Sequence, residues 1–283
     1  MNHTNTLITG ASSGIGLELA RTFAAHGHPL ILTARNPAEL LRIADELKRE
    51  YGVSVHTFAR DLEQANAAED IAEELEAQGL PVHILVNNAG LGFMGNFWDI
   101  PVEHDLSMLR VNIGAIVRLT KLFLPSMIAR GSGRILNTAS IASFEPGPTL
   151  AVYHATKAFV LSLSEALATE LENTGITVTA LCPGATDTDF FPKAGMVDTW
   201  AFQKGKVMSP REVAELGYKA TMTGERVVVA GVVNKLLVFS RHLMPESAQA
   251  AMNEKMYEKV APEEIKRQPG EIRRKDREAA GVV

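Results

Sequence analysis

Cysteine is almost absent from this chain. Its 283 residues include one cysteine, Cys182, which excludes an intrachain disulfide and any zinc cluster built on cysteines. Cys182 lies in the apolar run A-L-C-P-G and is interpreted as a small core residue. The eight histidines show no ligand cluster, and His154 should point away from its neighbour Tyr153. The sequence therefore predicts no metal site.

An excess of basic charge is also lacking. The chain has 28 Lys and Arg against 33 Asp and Glu, a net charge of -5, so nothing indicates binding to nucleic acid. No uncharged apolar stretch reaches the ~18 residues of a membrane-spanning helix. The N-terminus has no basic segment followed by an apolar one, as a signal sequence would. We therefore expect a cytoplasmic protein without a membrane span.

No Pro/Gly/Ser-rich linker and no internal repeat divides the chain. Hydrophobic residues make up 46% of it, which is enough for a buried core. Apolar stretches alternate with helical ones, and they lie near 29–34, 53–58, 82–86, 133–138, 175–181 and 225–229. This alternation predicts one α/β domain with a doubly wound parallel sheet flanked by helices.

The segment T-G-A-S-S-G-I-G, residues 9–16, joins a short apolar strand to a helix. Its glycines lack Cβ atoms, so the backbone can bend tightly and approach a pyrophosphate, whose charge is favoured at the helix N-terminus. The spacing is G-x-x-x-G-x-G rather than the commoner G-x-G-x-x-G. We predict that this turn binds a dinucleotide.

The next strand ends at Arg35, where many NAD-binding folds place an acidic residue. Arginine can instead form a bidentate, charge-assisted pair with a 2′-phosphate. This residue favours NADP(H) as cofactor and leaves NAD(H) possible. The alternative is that Arg35 is a solvated loop residue.

Tyr153 and Lys157 are four residues apart in Y-H-A-T-K, so they share one face if the stretch is helical. A free tyrosine titrates near ~10, and a neighbouring cation would lower its pKa toward the working range of an acid/base catalyst. Ser140, thirteen residues earlier, could hold a carbonyl oxygen beside the phenol. Taken singly, the tyrosine and lysine could mark a helical surface, and the serine a cap.

Together these motifs resemble the short-chain dehydrogenase/reductase family in its single-domain form, over roughly residues 4–233. The similarity includes Asp61-Leu62, N-N-A-G at 87–90 and Pro183-Gly184. It implies a Rossmann-like fold with residues 1–233 as the dinucleotide-binding and catalytic domain. The catalytic residues that it implies are Asn112, Ser140, Tyr153 and Lys157. The predicted cofactor-binding residues are Gly10, Ser12, Ser13, Gly14, Ile15, Gly16, Arg35, Asp61, Leu62, Asn88, Ala89, Gly90, Tyr153, Lys157, Pro183, Gly184, Thr186 and Thr188.

The resemblance also implies individual roles. Asp61 and Leu62 would bracket the adenine, Asn112 would hold a water that links the lysine to solvent, and Thr188 would contact the nicotinamide side of the cofactor. Thr186 stands where the family often has valine or isoleucine. Ser13 stands where some NADP-specific members carry a basic residue, so the NADP prediction rests mainly on Arg35.

Residues 185–209 form a long segment with several apolar side chains, which in the family is the mobile substrate lid. We predict that Phe191 and Trp200 of this segment, with Phe93 after N-N-A-G, contact a hydrophobic ketone or aldehyde. The alternative is that these aromatics only pack the fold.

Residues 234–283 exceed the usual family length. Apolar residues at helical spacing, followed by the charged I-R-R-K-D-R-E, predict a packing arm against this subunit or a partner and then a solvated tail. A membrane-surface helix is a weaker alternative because glutamates interleave with the lysines. We expect a homo-oligomer.

The combined prediction is an NADP(H)-dependent oxidoreductase that interconverts a hydrophobic carbonyl compound and its alcohol by hydride transfer, with Tyr153 as general acid/base. Two alternatives remain. One is an NAD-linked alcohol dehydrogenase on the same scaffold. The other is a nucleotide-sensing protein that kept the fold and lost turnover.

Overall fold

The computed structural model describes residues 4–241 and 244–279. Within them one parallel sheet of seven strands has the order β3-β2-β1-β4-β5-β6-β7, which confirms the predicted doubly wound architecture. The strands are β1 (Thr6–Thr9), β2 (Leu30–Ala34), β3 (Val55–Ala59), β4 (Ile84–Asn87), β5 (Gly133–Thr138), β6 (Ile176–Cys182) and β7 (Val227–Val229).

Helices cover both faces of the sheet, and the last three belong to the C-terminal extension. A π-helical segment, Leu109–Ala115, joins α4 to α5. Short 3₁₀ helices span Ile141–Phe144 and Pro262–Glu264. The α-helices are α1 (Gly14–Ala25), α2 (Pro37–Tyr51), α3 (Ala67–Ala77), α4 (Val102–Met108), α5 (Ile116–Arg130), α6 (Ala151–Glu170), α7 (Phe190–Lys193), α8 (Trp200–Gln203), α9 (Pro210–Thr223), α10 (Val232–Arg241), α11 (Glu246–Tyr257) and α12 (Glu271–Ala279).

Local sequence sets the ends of α2. The side chain of Asn36 caps its first turn by accepting a hydrogen bond from the Glu39 N–H at 3.2 Å. Pro37 then occupies a first-turn position where a missing N–H costs nothing. Gly52 ends the helix with a left-handed φ of 69°, the conformation that closes many helices.

Strand residues of β1 are buried alternately on the two faces of the sheet. Ile8 joins a cluster with residues of α1, α2 and α9, including Phe23. Leu7 joins a second cluster with residues of α3 and α5, including Phe123. Because both faces are covered, the strands are continuous apolar runs, as parallel sheets require.

One continuous helical stretch, Val102–Arg130, is apolar and long enough to cross a membrane by length and composition alone. It carries Arg118 and Lys121 in its middle. Leu119, Phe123 and Met127 of the same stretch are buried in the cluster that packs on the sheet. We interpret it as a core helix of this fold.

The C-terminal extension packs on the segment 185–209, which contains α7 and α8. The carboxylate of Asp187, completely buried, accepts hydrogen bonds from the N–H groups of Gly270, Ile272 and Arg273 at 2.7, 2.7 and 3.2 Å. These donors lie at the N-terminus of α12, where an anion is favourable. The charged end, as far as residue 279, is thus a docked helix, which differs from the solvated tail expected from its charges.

Candidate active site

A cavity of about 650 Å³ opens at the carboxyl ends of the central strands. Strand order reverses direction between β1 and β4, and the crossover connections leave a crevice there. Ligands of open α/β sheets bind in such a crevice. The position of the cavity therefore follows from the topology.

The turn between β1 and α1 forms one wall of the cavity. Gly10 and Gly14 have φ values of +65° and +56°, in the left-handed region that favours glycine. A Cβ atom on Gly16 would lie 2.3 Å from the carbonyl oxygen of Gly10. The side chain of Ser13 makes no capping hydrogen bond. The first N–H groups of α1 are therefore placed to bind an anion at a helix N-terminus.

Hydrogen bonds tie this turn to the end of β4. Asn88 donates through its main-chain N–H to Oγ1 of Thr9 at 2.9 Å and through Nδ2 to the Thr9 carbonyl at 3.1 Å. The Ala89 N–H donates to the same Oγ1 at 3.0 Å. Asn87 faces the other way and donates to Oδ1 of Asn137 at 2.9 Å. The N-N-A-G segment thus fixes the centre of the sheet and one cavity wall together.

Arg35 lies at the opposite end of the cavity from Tyr153, after β2, and its side chain is exposed. It makes no ion pair with residues 4–241 or 244–279. Arg60 in the same wall differs, because its Nη2 lies 2.7 Å from the Glu74 carboxylate. Asn36, the cap of α2, lines the cavity beside Arg35. An unpaired guanidinium next to a helix N-terminus suits a phosphate group.

Tyr153, Lys157 and Ser140 come together at the inner end of the cavity. Nζ of Lys157 is 5.8 Å from the centre of the Tyr153 ring and donates to the Thr138 carbonyl at 2.7 Å. The Ser140 hydroxyl is near enough to the Tyr153 phenol to lower the pKa of that phenol. Ser140 itself is fixed as the cap of a 3₁₀ helix, accepting from the Ala142 N–H at 3.1 Å. The structure thus assembles an acid, a cation and an oxygen-positioning hydroxyl.

The protonation of this group differs from the sequence-based expectation. Burial raises the pKa of Tyr153 to about 12, and the neighbouring Ser140 hydroxyl offsets only part of that rise. Burial lowers the pKa of Lys157 to about 8. The prediction that Lys157 lowers the pKa of the phenol is therefore wrong for this geometry. The ammonium is engaged by the Thr138 carbonyl, and desolvation of the phenolate dominates.

Asn112 lies one layer behind the cavity, completely buried in the π-helical segment. Its Oδ1 accepts from the Leu91 N–H at 2.8 Å. Its Nδ2 donates to the Leu91 carbonyl at 2.9 Å and to Oγ1 of Thr156 at 3.0 Å. The side chain therefore holds the main chain beside Gly90. The water-holding role expected for Asn112 stays a prediction.

Most of the predicted residues line this one cavity. Gly16 does not, and acts instead through its close approach to Gly10. Those brought together are Gly10, Ser12, Ser13, Gly14, Ile15, Arg35, Asp61, Leu62, Asn88, Ala89, Gly90, Phe93, Ser140, Tyr153, Lys157, Pro183, Gly184, Thr186, Thr188 and Phe191.

Aromatic residues of α7 close the cavity beside Tyr153. The ring centre of Phe190 is 5.2 Å from that of Tyr153. A Cβ on Gly92 would lie 2.4 Å from the Phe190 ring, so the ring packs directly on this glycine. Phe191 borders the cavity but is mostly buried against Phe202, with ring centres 4.7 Å apart. Phe190 is thus the aromatic nearest the phenol, and the sequence did not distinguish it from its neighbour.

The other two predicted substrate residues have different positions. Phe93 lines the cavity and stacks on His104 with ring centres 4.1 Å apart. Trp200 is 45% exposed and lies outside the cavity lining. The main-chain N–H of Trp200 donates a hydrogen bond at 2.9 Å to the carbonyl of Glu258, a residue of the C-terminal extension.

Met256 and Tyr257 also line the cavity, and sequence reasoning missed both as site residues. They lie at the end of α11 in the extension, far from every motif. Helical periodicity identified an apolar face there, but no spacing signal connects that face with Tyr153. Only the tertiary contacts place them in the site.

The crevice geometry and the Ser-Tyr-Lys arrangement define a class of protein, the Rossmann-like oxidoreductases. A family model described as short chain dehydrogenase matches residues 4–196. The chain belongs to this family, whose members interconvert CH–OH and C=O groups.

Individual relatives agree with this assignment. An uncharacterized oxidoreductase of Staphylococcus saprophyticus is 34% identical over 223 residues, 79% of this chain and 93% of that protein. A short-chain dehydrogenase from Sphingobium yanoikuyae in complex with NADPH has a TM-score of 0.76 at 31% identity, covering 92% of this chain and 99% of that one. The bulky-bulky ketone specific alcohol dehydrogenase from Comamonas testosteroni has a TM-score of 0.72 at 31% identity, covering 86% and 94%.

Some curated relatives are longer than the part that matches. The chain spans 60% of the length of a short chain dehydrogenase from Pseudocercospora fijiensis.

Proposed function

We propose that the protein reduces hydrophobic ketones or aldehydes with NADPH. The observation that carries this proposal is the cavity itself. Its inner end holds Tyr153 and Ser140 beside the Phe190 ring, and its outer end holds the glycine turn and the unpaired Arg35. One end therefore suits an apolar carbonyl compound and the other a phosphorylated dinucleotide.

The residues present fit an NADP(H) molecule. A side chain on Gly14 would meet Thr188 at 3.0 Å, so its absence leaves the backbone open to a pyrophosphate at the α1 N-terminus. Arg35 would bind the 2′-phosphate, Asp61 and Leu62 would flank the adenine, and Lys157 would bind the nicotinamide ribose. The similar dehydrogenase from Sphingobium yanoikuyae was solved in complex with NADPH, which supports this choice of cofactor.

The protein side chains supply positioning and a proton. Ser140 would hold the carbonyl oxygen next to the phenol, and Tyr153 would donate its proton as the C–O double bond becomes a single bond. The bound cofactor supplies the hydride that adds to the carbonyl carbon. With a pKa of about 12, the phenol is protonated at neutral pH and holds the proton that carbonyl reduction consumes.

Substrate preference follows from the cavity wall around the phenol. Phe190, Phe93 and Phe191 present aromatic surface there. The similar alcohol dehydrogenase from Comamonas testosteroni is described as specific for bulky-bulky ketones, which supports a bulky apolar substrate for this chain.

The experiment is a turnover assay followed at the nicotinamide absorbance. The purified protein is incubated with NADPH or NADH and a panel of small and bulky hydrophobic ketones and aldehydes. Faster turnover of bulky carbonyls with NADPH is expected. Preference for NADH would favour the NAD-linked alcohol dehydrogenase instead. Binding of NADPH without turnover of any carbonyl or alcohol would favour a nucleotide-sensing role.

A cytoplasmic homo-oligomer remains our prediction for the assembled protein. Apolar side chains are exposed on the α4–α5 stretch and on α6, at 38% for Leu106, 37% for Leu122 and 39% for Phe159. These helices are the interface elements that the sequence comparison with the family implies. Light scattering after size-exclusion chromatography will measure the mass, and a monomeric mass would contradict the prediction.

A further inference from the structure

The C-terminal extension contributes a second tyrosine to the catalytic cavity. Tyr257, the last residue of α11, lines the cavity together with Tyr153. Both rings pack on the same apolar cluster of Leu150, Phe191, Ala194, Met196 and Phe202. The established family mechanism uses Tyr153 and leaves Tyr257 without a role.

Buried polar contacts fix α11 in this position. Nδ2 of Asn253, a completely buried residue, donates to the Pro146 carbonyl at 2.8 Å. One turn before it, Gln249 donates to the Arg241 carbonyl at 3.0 Å. Arg241 forms an ion pair with Glu145, and both side chains are buried, with 1% and 2% exposed. The extension is thus anchored to the loop that precedes α6, the helix of Tyr153.

The hydroxyl of Tyr257 is held by His154, the residue next to Tyr153. Nε2 of His154 lies 2.9 Å from the Tyr257 oxygen, and Nδ1 lies 3.0 Å from the Glu145 carbonyl. A carbonyl oxygen can only accept, so Nδ1 carries the proton in the neutral imidazole. Nε2 must then accept, and the Tyr257 hydroxyl donates to it. The phenol oxygen keeps only lone pairs for any other partner.

This arrangement holds at neutral pH. Burial lowers the pKa of His154 to about 4, so the imidazole is neutral and Nε2 remains an acceptor. Burial raises the pKa of Tyr257, and the nearby Tyr153 raises it further. Tyr257 therefore stays a neutral phenol, in the same cavity and against the same apolar cluster as Tyr153.

We propose that Tyr257 is a specificity-determining residue: held by His154, its phenol oxygen accepts a hydrogen bond from a hydroxyl or N–H group that the carbonyl substrate carries elsewhere on its skeleton. This inference rests on the proposed carbonyl reductase function. Ser140 and Tyr153 recognise the reacting oxygen, the aromatic lid recognises the apolar surface, and Tyr257 recognises a second polar group.

The test uses the full chain with NADPH and a matched pair of bulky cyclic ketones. One ketone carries a hydroxyl group, and the other carries a methyl ether in its place. The variant Tyr257→Phe keeps the ring and removes the acceptor. Tyr218→Phe is the matched control, because Tyr218 of α9 packs against Phe23 and His26 and is not a lining residue of the cavity. Melting temperatures and NADPH affinities of all forms show whether each variant folds and binds cofactor.

The wild type should prefer the hydroxy ketone over the ether by about three- to tenfold in kcat/KM, the scale of one hydrogen bond. Tyr257→Phe should abolish this preference by lowering kcat/KM for the hydroxy ketone to the value for the ether, and Tyr218→Phe should keep it. An unchanged preference in a folded Tyr257→Phe variant would overturn the inference. Absence of a preference in the wild type would overturn it as well, and this outcome does not depend on the folding of any variant. Absence of turnover of every carbonyl by the wild type would instead refute the proposed function.

Discussion

The cofactor end of the cavity is formed by the glycine turn and the neighbouring strand ends, joined by hydrogen bonds between main-chain groups and short polar side chains, whereas the substrate end is formed by aromatic side chains of the lid and of the C-terminal extension. At the cofactor end, Asn88 and Ala89 bond to Thr9 across adjacent strands. At the substrate end, Phe190 of the lid packs beside Tyr153, and Tyr257 of the extension packs on the same apolar cluster. Sequence motifs can predict the cofactor end, because the atoms that form it belong to the glycine turn and to the strand ends. The substrate end depends on how the lid and the extension dock.

The two ends of the cavity also differ in which residues can be substituted. At the glycine turn, a side chain on Gly16 would overlap the Gly10 carbonyl. At the substrate end, a different aromatic could fill the space of Phe190 without disturbing the sheet. We therefore infer that cofactor binding tolerates little variation, while substrate choice is set by a replaceable lining.

The largest expected effect is at the phenol between the two ends. Tyr153→Phe removes the proton donor and keeps the ring, so turnover should fall by ~100-fold or more, the usual scale for general acid/base catalysis. NADPH affinity should survive because the phosphate contacts lie elsewhere. Steady-state rates and a cofactor titration check both. A Phe variant with most of its activity would refute the proposed role of Tyr153.

The next effect concerns the cofactor end. Arg35→Asp should move preference from NADPH toward NADH, because a carboxylate repels the 2′-phosphate and can bind ribose hydroxyls. A lost charge-assisted contact costs roughly 1.5 to 3 kcal/mol, more than about tenfold in affinity. Titration with both cofactors measures the ratio, with the neighbouring surface variant Arg42→Asp as a control. An unchanged ratio in the Arg35 variant would make Arg35 a solvated loop residue.

A smaller effect is expected at the lid. Phe190→Ala should raise KM for bulky carbonyls by up to about tenfold and for small ones far less, since burial of a large apolar side chain contributes roughly 1.5 to 3 kcal/mol. Trp200→Ala should leave both values unchanged, because this side chain lies outside the cavity lining. Kinetics of the two variants on the same ketone panel compares them directly. A rise in KM for Trp200→Ala would restore the substrate role that the sequence predicts for it.

The last effect concerns stability rather than activity, and is a pH dependence from the contact between α6 and the extension. His154 has a folded-state pKa of about 4, below its usual value of 6.5. Between these values the unfolded chain binds a proton that the folded one does not, so stability is lost as pH falls from 6.5 to 4. The slope for one proton is at most about 1.4 kcal/mol per pH unit.

Denaturant unfolding of the wild type and of His154→Gln at pH 4 to 7 measures this slope. The Gln variant should show a flatter profile, and the exposed His26→Gln should follow the wild type. Parallel profiles for wild type and His154→Gln would show that His154 does not carry the acid sensitivity.

The sequence by itself determined the fold class and the residues that line the proposed cofactor end of the cavity. Alternating apolar and helical stretches determine a parallel sheet, and the Gly10–Gly16 turn together with Arg35 marks the crevice in which we propose that the cofactor binds, because strand ends and helix starts obey local rules. Tyr153 and Lys157 were found for the same reason, since four residues in a helix place two side chains on one face.

Tertiary structure alone decided the electrostatics and the substrate wall. The pKa of Tyr153 rises because burial outweighs the opposing effect of Ser140, and burial is a property of the packed whole. Sequence could not choose Phe190 over Trp200 as the aromatic beside the phenol. Nor could it place Tyr257 in the cavity, because that position depends on buried anchors such as Asn253 and Arg241. Such contacts join residues distant along the chain, and only the folded arrangement brings them together.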